Sequence, residues 1–189
     1  MRIIKRVLLL LVAVIALLVA YVYFSMRANI PESQLGLAGA SNTANSGAPV
    51  LIFDATRNTG LELAKLLHSR GEKVVAFVRP TSDIGELNAL NAEILPGDAT
   101  DLPSIEAAMA TQSFRAIVTT VGCFSCDPPI DFTANKNIID AAKAANIPTL
   151  MFISSIGAGD SLGAMPFISK KVLGHLLPLK TQTEDYLAA

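Results

Sequence analysis

The stretch Pro49-Val-Leu-Ile-Phe-Asp-Ala-Thr-Arg-Asn-Thr-Gly60 joins a short β-rich apolar run, Pro49 to Phe53, to a segment with helical spacing. Leu61, Ala64 and Leu67 share one helix face and Gly71 provides a stop, so a helix is expected over Leu61 to Arg70. A second β-rich run, Lys73 to Val78, follows at once. Strand, loop, helix and strand with so short a crossover make the two strands parallel and the connection right-handed.

The alternation continues along the chain. A shorter strand is expected near Glu93 to Leu95, then a helix from about Leu102 to Ala110 opened by "DLPS". Strand Ala116 to Val121, helix Phe132 to Ala145 and strand Thr149 to Ile153 complete the pattern. Near-continuous apolar strands such as "AIVTTV" and "TLMFI" suit a sheet covered on both faces. The expected fold class is therefore α/β, a doubly wound, Rossmann-like parallel sheet with strand order 3-2-1-4-5.

The chain has 189 residues, 51% of them apolar, enough for one hydrophobic core and too few for two. An appendage precedes that core. Residues 7–26 carry no charge and, as a helix, reach about 30 Å, the thickness of a bilayer core. A core helix would have to hide Leu, Val and Tyr around its whole circumference. A signal peptide has a shorter apolar region and a small-x-small cleavage site directly after it, whereas here Tyr21-Val-Tyr-Phe24 and then Arg27 follow. Residues 1–27 are thus expected to be a retained single-pass membrane anchor. Arg2, Lys5 and Arg6 precede the span, which puts the N-terminus in the cytoplasm and the globular part on the non-cytoplasmic side.

Residues 28–48, rich in Gly, Ala, Ser and Asn without an apolar period, read as a flexible linker to a domain over residues 49–189. Setting aside Arg2, Lys5, Arg6 and Arg27 from 15 bases and Glu32 from 16 acids leaves that domain a net charge of −4. This is no nucleic-acid footprint.

Five motifs in register carry a resemblance over residues 49–189: "DATRNTG", "AFVRP", "PGDATD", "NKNIIDAAKAANI" and "ISSIGAGDS". With them the chain resembles the atypical short-chain dehydrogenase/reductase group, the NAD(P)-binding proteins related to the NmrA-like and flavin/biliverdin reductase families. In that group the first loop is typically Gly-Ala-Thr-Gly-x-x-Gly, whose glycines allow a tight turn and close approach to the pyrophosphate at a helix N-terminus. The resemblance therefore implies a cofactor loop of Ala55, Thr56, Arg57, Asn58, Thr59 and Gly60. Asp54 and Arg57 occupy the first two glycine positions and only Gly60 is kept. Arg57 can meet a phosphate, whereas Asp54 adds a carboxylate near a dianionic ligand and a Cβ where a glycine conformation is needed.

The same resemblance implies further site residues. Arg79, at the tip of the second strand, favours the 2′-phosphate of NADP over NAD. Asp98 matches a position beside the adenine or caps a turn, and Val121 and Gly122 would flank the cofactor. Ser155 and Lys180 match the catalytic positions, one to hold a substrate carbonyl and one near the nicotinamide. A Tyr-x-x-x-Lys pair is absent, because Tyr186 has no Lys four residues later, so no phenol stands ready as proton donor. Relatives usually continue beyond the position of Ala189, which makes the domain short at its C-terminus. Two functions follow as expectations: a membrane-anchored, NADP-binding oxidoreductase acting on a small carbonyl, quinone or flavin-like acceptor, or an inactive accessory subunit of a membrane protein complex.

Cys123 and Cys126 form a C-x-x-C outside the thioredoxin position, and no second pair completes a zinc site. They are two free thiols in a cytosolic protein or a small disulfide in an oxidising compartment. No metal site is expected. His175, alone on a Leu-rich stretch, reads as packing or surface.

Overall fold

The computed structural model describes residues 2–25, 47–165 and 167–189. They fall into two units, Met1–Ala44 and Asn45–Ala189. The first contributes α1 (Arg2–Ser25), the one helix among the described residues long and apolar enough to cross a membrane. None of its span from Lys5 to Tyr23 is buried, unlike the core helix of a soluble protein. An anchor and a signal sequence both fit its length and composition. The expected linker, residues 28–48, lies outside the described residues except for Gly47 and Ala48.

The second unit is a five-stranded parallel sheet in the order β3-β2-β1-β4-β5. Its strands are β1 (Val50–Phe53), β2 (Val74–Val78), β3 (Glu93–Pro96), β4 (Ala116–Thr119) and β5 (Leu150–Phe152). Between them run α2 (Asn58–Ser69), α3 (Gly85–Ala89), α4 (Leu102–Met109) and α5 (Asp131–Ala144). A 3₁₀ turn (Gly159–Ala164), α6 (Phe167–Leu173) and α7 (Leu177–Ala188) follow the last strand. The expected strand order is the observed one.

Successive side chains of a strand point to opposite faces, and here both faces are dry. Leu51, Phe53, Val75, Phe77 and Ile117 pack with Ile105, Ala108 and Met109 of α4 and with Ala134, Ile138 and Ala141 of α5. Val50, Ile52, Val74, Ala76, Val78 and Val118 pack on the other face with Ala64 of α2 and Leu87 of α3. Phe53 and Phe77, paired in register across β1 and β2, have ring centroids 4.8 Å apart.

Most boundaries fall within a residue of the sequence expectation, and the larger differences have local causes. Helix α2 starts at Asn58, three residues early, because Leu61 N already bonds Arg57 O. The short helix α3 has only one buried residue, Leu87, and so leaves no periodic trace. Strand β4 ends at Thr119 instead of Val121, since side chains take over the next backbone groups. Val121 N is satisfied by Thr119 Oγ1, and Val121 O accepts from Asn135 and Lys180.

Gly60 fixes how closely α2 approaches the sheet. A Cβ there would overlap the Asp54 carbonyl oxygen and come within 2.8 Å of Thr120 Oγ1. Neither neighbour can yield freely, because Thr120 itself bonds Phe53 O and Asp54 O. Gly60→Ala is expected to lower stability by about 1–3 kcal/mol, the usual range for overpacking. Urea unfolding of the 45–189 unit measures it, and an unchanged midpoint would show that the loop has slack.

Candidate functional site

The turn after β1 runs through two left-handed residues, Asp54 (φ 62°) and Asn58 (φ 48°). Arg57, between them, is extended at φ −158°. The two replacements of glycine are therefore unequal. Extended backbone suits any residue, so Arg57 is unstrained, whereas Asp54 holds a conformation that glycine adopts most cheaply. Arg57 is also the N-cap of α2 and gives that helix no side-chain cap, which leaves the first amides of α2 available to an anion.

Asp54 sits in a field of bases. Its carboxylate lies 3.9 Å from Arg57 Nε and its side chain is 27% exposed. Burial pushes its carboxyl above the usual range, opposed by the charges of Arg57, Arg79 and Lys180. An anion brought to this point would meet Arg57 and Arg79, which line the cleft, together with one partly buried carboxylate.

Two adjoining cavities, of about 260 and about 420 Å³, open over the carboxyl ends of the strands. Both are lined by Asp54, Arg57, Gly122 and Cys123. The larger extends over Asn58 and Thr59. The smaller runs past Phe77 and Gly97 to Arg79, Ser82, Asp98 and Thr100. This is the topological switch point between β1 and β4, where open α/β sheets bind ligands.

Most of the expected site residues meet there. Thr56, Arg57, Arg79, Asp98, Val121 and Gly122 line the smaller cavity; Arg57, Asn58, Thr59 and Gly122 line the larger. Ala55 is fully buried beneath the turn and Gly60 packs under it. Asp98 caps a turn and also lines the smaller cavity. Its Oδ1 accepts from Thr100 N at 2.8 Å and Thr100 Oγ1 at 2.7 Å. Those bonds, the backbone one first, hold its carboxyl below the usual range.

The two residues expected to be catalytic line neither cavity. Ser155 donates to Ile156 O at 3.2 Å, and its neighbour Ser154 donates to Glu184 of α7. Lys180 Nζ is 2.8 Å from Val121 O and 3.3 Å from Asp131 Oδ1, and lies over the Phe152 ring. The side chains of this pair are 11% and 1% exposed, so the ammonium is committed to the carboxylate under the strand-four tip. Tyr186 is equally engaged: its hydroxyl donates to Asp140 Oδ1 at 2.6 Å, with Lys136 above its ring. His175 is exposed and packs edge-on against Phe124.

Sequence reasoning missed Asp131 and Asn135. Their spacing of four residues puts them on one face of α5, and both are buried there. Asp131 Oδ2 accepts from Cys123 N at 3.0 Å, while Asn135 bridges Thr119 Oγ1 and Val121 O. The cysteines are joined as a disulfide with Cα atoms 5.5 Å apart, and both line the smaller cavity. No cluster among the described residues could hold a metal.

Residues 55–189 match the NAD(P)H-binding family. The chain belongs to it. It is similar to sterol demethylase protein B of Methylococcus capsulatus, 29% identical over 115 residues that cover 57% of this chain and 34% of that protein. It is also similar to the photosystem II assembly factor Ycf39 of Cyanophora paradoxa, 26% identical over 142 residues, 73% of this chain and 40% of that one. Among solved structures, the anaerobillin reductase ChuY of Escherichia coli O157:H7 superposes with a TM-score of 0.65 at 27% identity, covering 74% of this chain and 66% of ChuY. The chain spans between a third and two fifths of the length of the two sequence relatives. As an NAD(P)H-binding domain it has an uncapped helix terminus and nearby bases that fit a dinucleotide, with Asp54 opposing an anion at that terminus.

Lys180 separates two roles by experiment. With the cation removed, Asp131 is left charged and buried, so Lys180→Met is expected to cost about 3–5 kcal/mol of stability. Adding Asp131→Asn to it should recover part of the loss. A single variant within about 0.5 kcal/mol of the native chain, as for ordinary surface substitutions, would show that the ammonium is free for chemistry.

Proposed function

We propose that the chain is an NADP-binding oxidoreductase domain carried on a single-pass membrane anchor, with the N-terminus cytoplasmic and the domain on the opposite side. The observation that carries the cofactor choice is Arg79, exposed at the end of β2 and lining the cleft beside Ser82. A guanidinium there pairs with a 2′-phosphate and has no partner on NAD. The bound nicotinamide would supply hydride chemistry. Around it, Arg57 and the amides of α2 would hold the pyrophosphate, Asp98 the adenosine end, and Val121 and Gly122 the nicotinamide end. Ser155 would hold an acceptor carbonyl, and Lys180, through Val121 O and Asp131, would position the strand-four tip. Residues 28–48 would serve as the tether. The disulfide favours an oxidising compartment, which agrees with this topology.

One observation favours a second reading, an accessory subunit of a membrane complex. Ser155, Lys180 and Tyr186 all have intramolecular hydrogen-bond partners and none lines the cleft. The assembly-factor relative is consistent with that reading.

Calorimetric titration tests the cofactor site. A charge-assisted contact contributes roughly 1.5–3 kcal/mol, so Arg79→Ala is expected to weaken NADPH binding by at least about tenfold and to leave NADH nearly unchanged. Asp54→Gly, which removes a like charge and restores glycine, is expected to tighten NADPH binding by about tenfold, or 1.4 kcal/mol. Equal losses of both cofactors in Arg79→Ala would assign that residue to the fold. If the native chain binds tightly but transfers no hydride to carbonyl, quinone or flavin acceptors, the accessory reading replaces the enzyme.

The anchor has its own test. The chain is expected to stay with membranes through carbonate washing, and its domain to be protected from protease added on the cytoplasmic side. Release by carbonate or cytoplasmic cleavage of the domain would overturn the topology.

A further inference from the structure

The Cys123–Cys126 disulfide forms a wall of the cleft. Cys123 lines both cavities and Cys126 the smaller one. The loop that carries them is held by buried hydrogen bonds on its inner side and by exposed His175 on its outer side, where Nε2 lies 3.4 Å from Phe124 O and the ring packs edge-on against Phe124. Val121 O is bound by Lys180 and Asn135, and Cys123 N by Asp131, so the loop leaves β4 in a fixed direction. Beyond Cys123, Phe124 (57% exposed) and Ser125 face solvent. The disulfide is the covalent tie that closes this outer part of the loop against the anchored part.

We infer that this pair is a dithiol–disulfide exchange site whose oxidation state is coupled to nucleotide occupancy of the cleft; the coupling rests on the nucleotide reading above. The co-reactant is a dithiol. As a thiolate it attacks one sulfur of the pair, the bond between Cys123 and Cys126 breaks, and one cysteine leaves as a thiolate that takes a proton from water. The second thiol of the co-reactant then attacks the mixed disulfide and releases the other cysteine. Two electrons pass from the dithiol to the pair, and the nucleotide is neither oxidised nor reduced.

The direction of coupling follows from preorganisation. In the disulfide form the wall formed by Gly122, Cys123 and Cys126 is fixed before nucleotide arrives. In the dithiol form two thiols cannot approach as closely as bonded sulfurs do, and the outer loop must be ordered on binding, at an entropic cost. The disulfide form therefore binds nucleotide more tightly. By reciprocity, nucleotide makes the pair harder to reduce.

The test uses the full chain in detergent with NADP+, which carries no reducing equivalents, as the probe. The pair is titrated anaerobically in dithiothreitol redox buffers, with free thiols scored by alkylation, with and without saturating NADP+. NADP+ is also titrated calorimetrically into the oxidised and the reduced chain. The expected result is reduction of the folded protein, at least about tenfold tighter binding to the disulfide form, and a potential lowered by about 30 mV for each tenfold. Cys123→Ser/Cys126→Ser should bind like the reduced chain, which keeps the comparison open if the reduced protein is hard to handle. A pair that resists alkylation until the protein unfolds overturns the exchange site. Equal binding to both forms overturns the coupling alone. No binding to either form overturns the nucleotide reading and the coupling with it.

Discussion

A buried ion pair between Lys180 and Asp131 is the contact on which the shape of the cleft depends. Asp131 lies in the first turn of α5, where a carboxylate is favoured by the unpaired amides of the helix N-terminus. Its two oxygens are divided between Lys180 of α7 and the amide of Cys123. Lys180 in turn reaches Val121 O. One carboxylate thereby joins α7, α5 and the loop after β4. Desolvating two charges is costly and is offset only when the remaining donors and acceptors are satisfied. Here Thr119 and Asn135 satisfy the neighbouring groups, so the network is complete enough to persist.

That network also explains why the strand stops. A parallel ladder from β4 would need Val121 N and O for its neighbours, but both are consumed by side chains. The backbone turns away from the sheet and becomes the wall of the cleft. A Cβ at Gly122 would crowd this network, coming within 3.0 Å of Lys180 Nζ and 3.1 Å of Asp131 Oδ1. A glycine matched to a cofactor position by its motif thus also packs closely against a buried charge.

The sheet was legible because its signals are local. Apolar runs of four or five residues separated by helical spacing state parallel topology, and strand order follows from connection length and handedness. The first loop, Arg79 and Asp98 were legible as motifs at strand tips, and the fold brings them to one cleft. The fate of Lys180 was not legible. Its partner is 49 positions away in the sequence and leaves no periodic mark, since a single buried acid on a helix looks like any polar residue. The cysteines were visible as a motif, but only the topology shows that a loop after β4 must open onto the ligand crevice.

Asp54 and the disulfide bear on the same question from different sides. The left-handed conformation of Asp54 carries backbone strain and its burial disfavours the charged carboxylate, while its ion pair with the largely exposed Arg57 contributes little to hold it in place. Such a carboxylate can yield to a phosphate if Arg57 turns toward the ligand instead. Affinity is then a balance between one acid and the bases Arg57, Arg79 and Lys180, of which Lys180 is already neutralised by Asp131. Under the proposed topology the compartment that keeps Cys123 and Cys126 paired is also one not expected to replenish NADPH. A domain in that position gains more from a long-lived bound nucleotide than from rapid exchange. A rigid, disulfide-closed wall suits retention, because the entropy of ordering the loop has been removed before the ligand arrives.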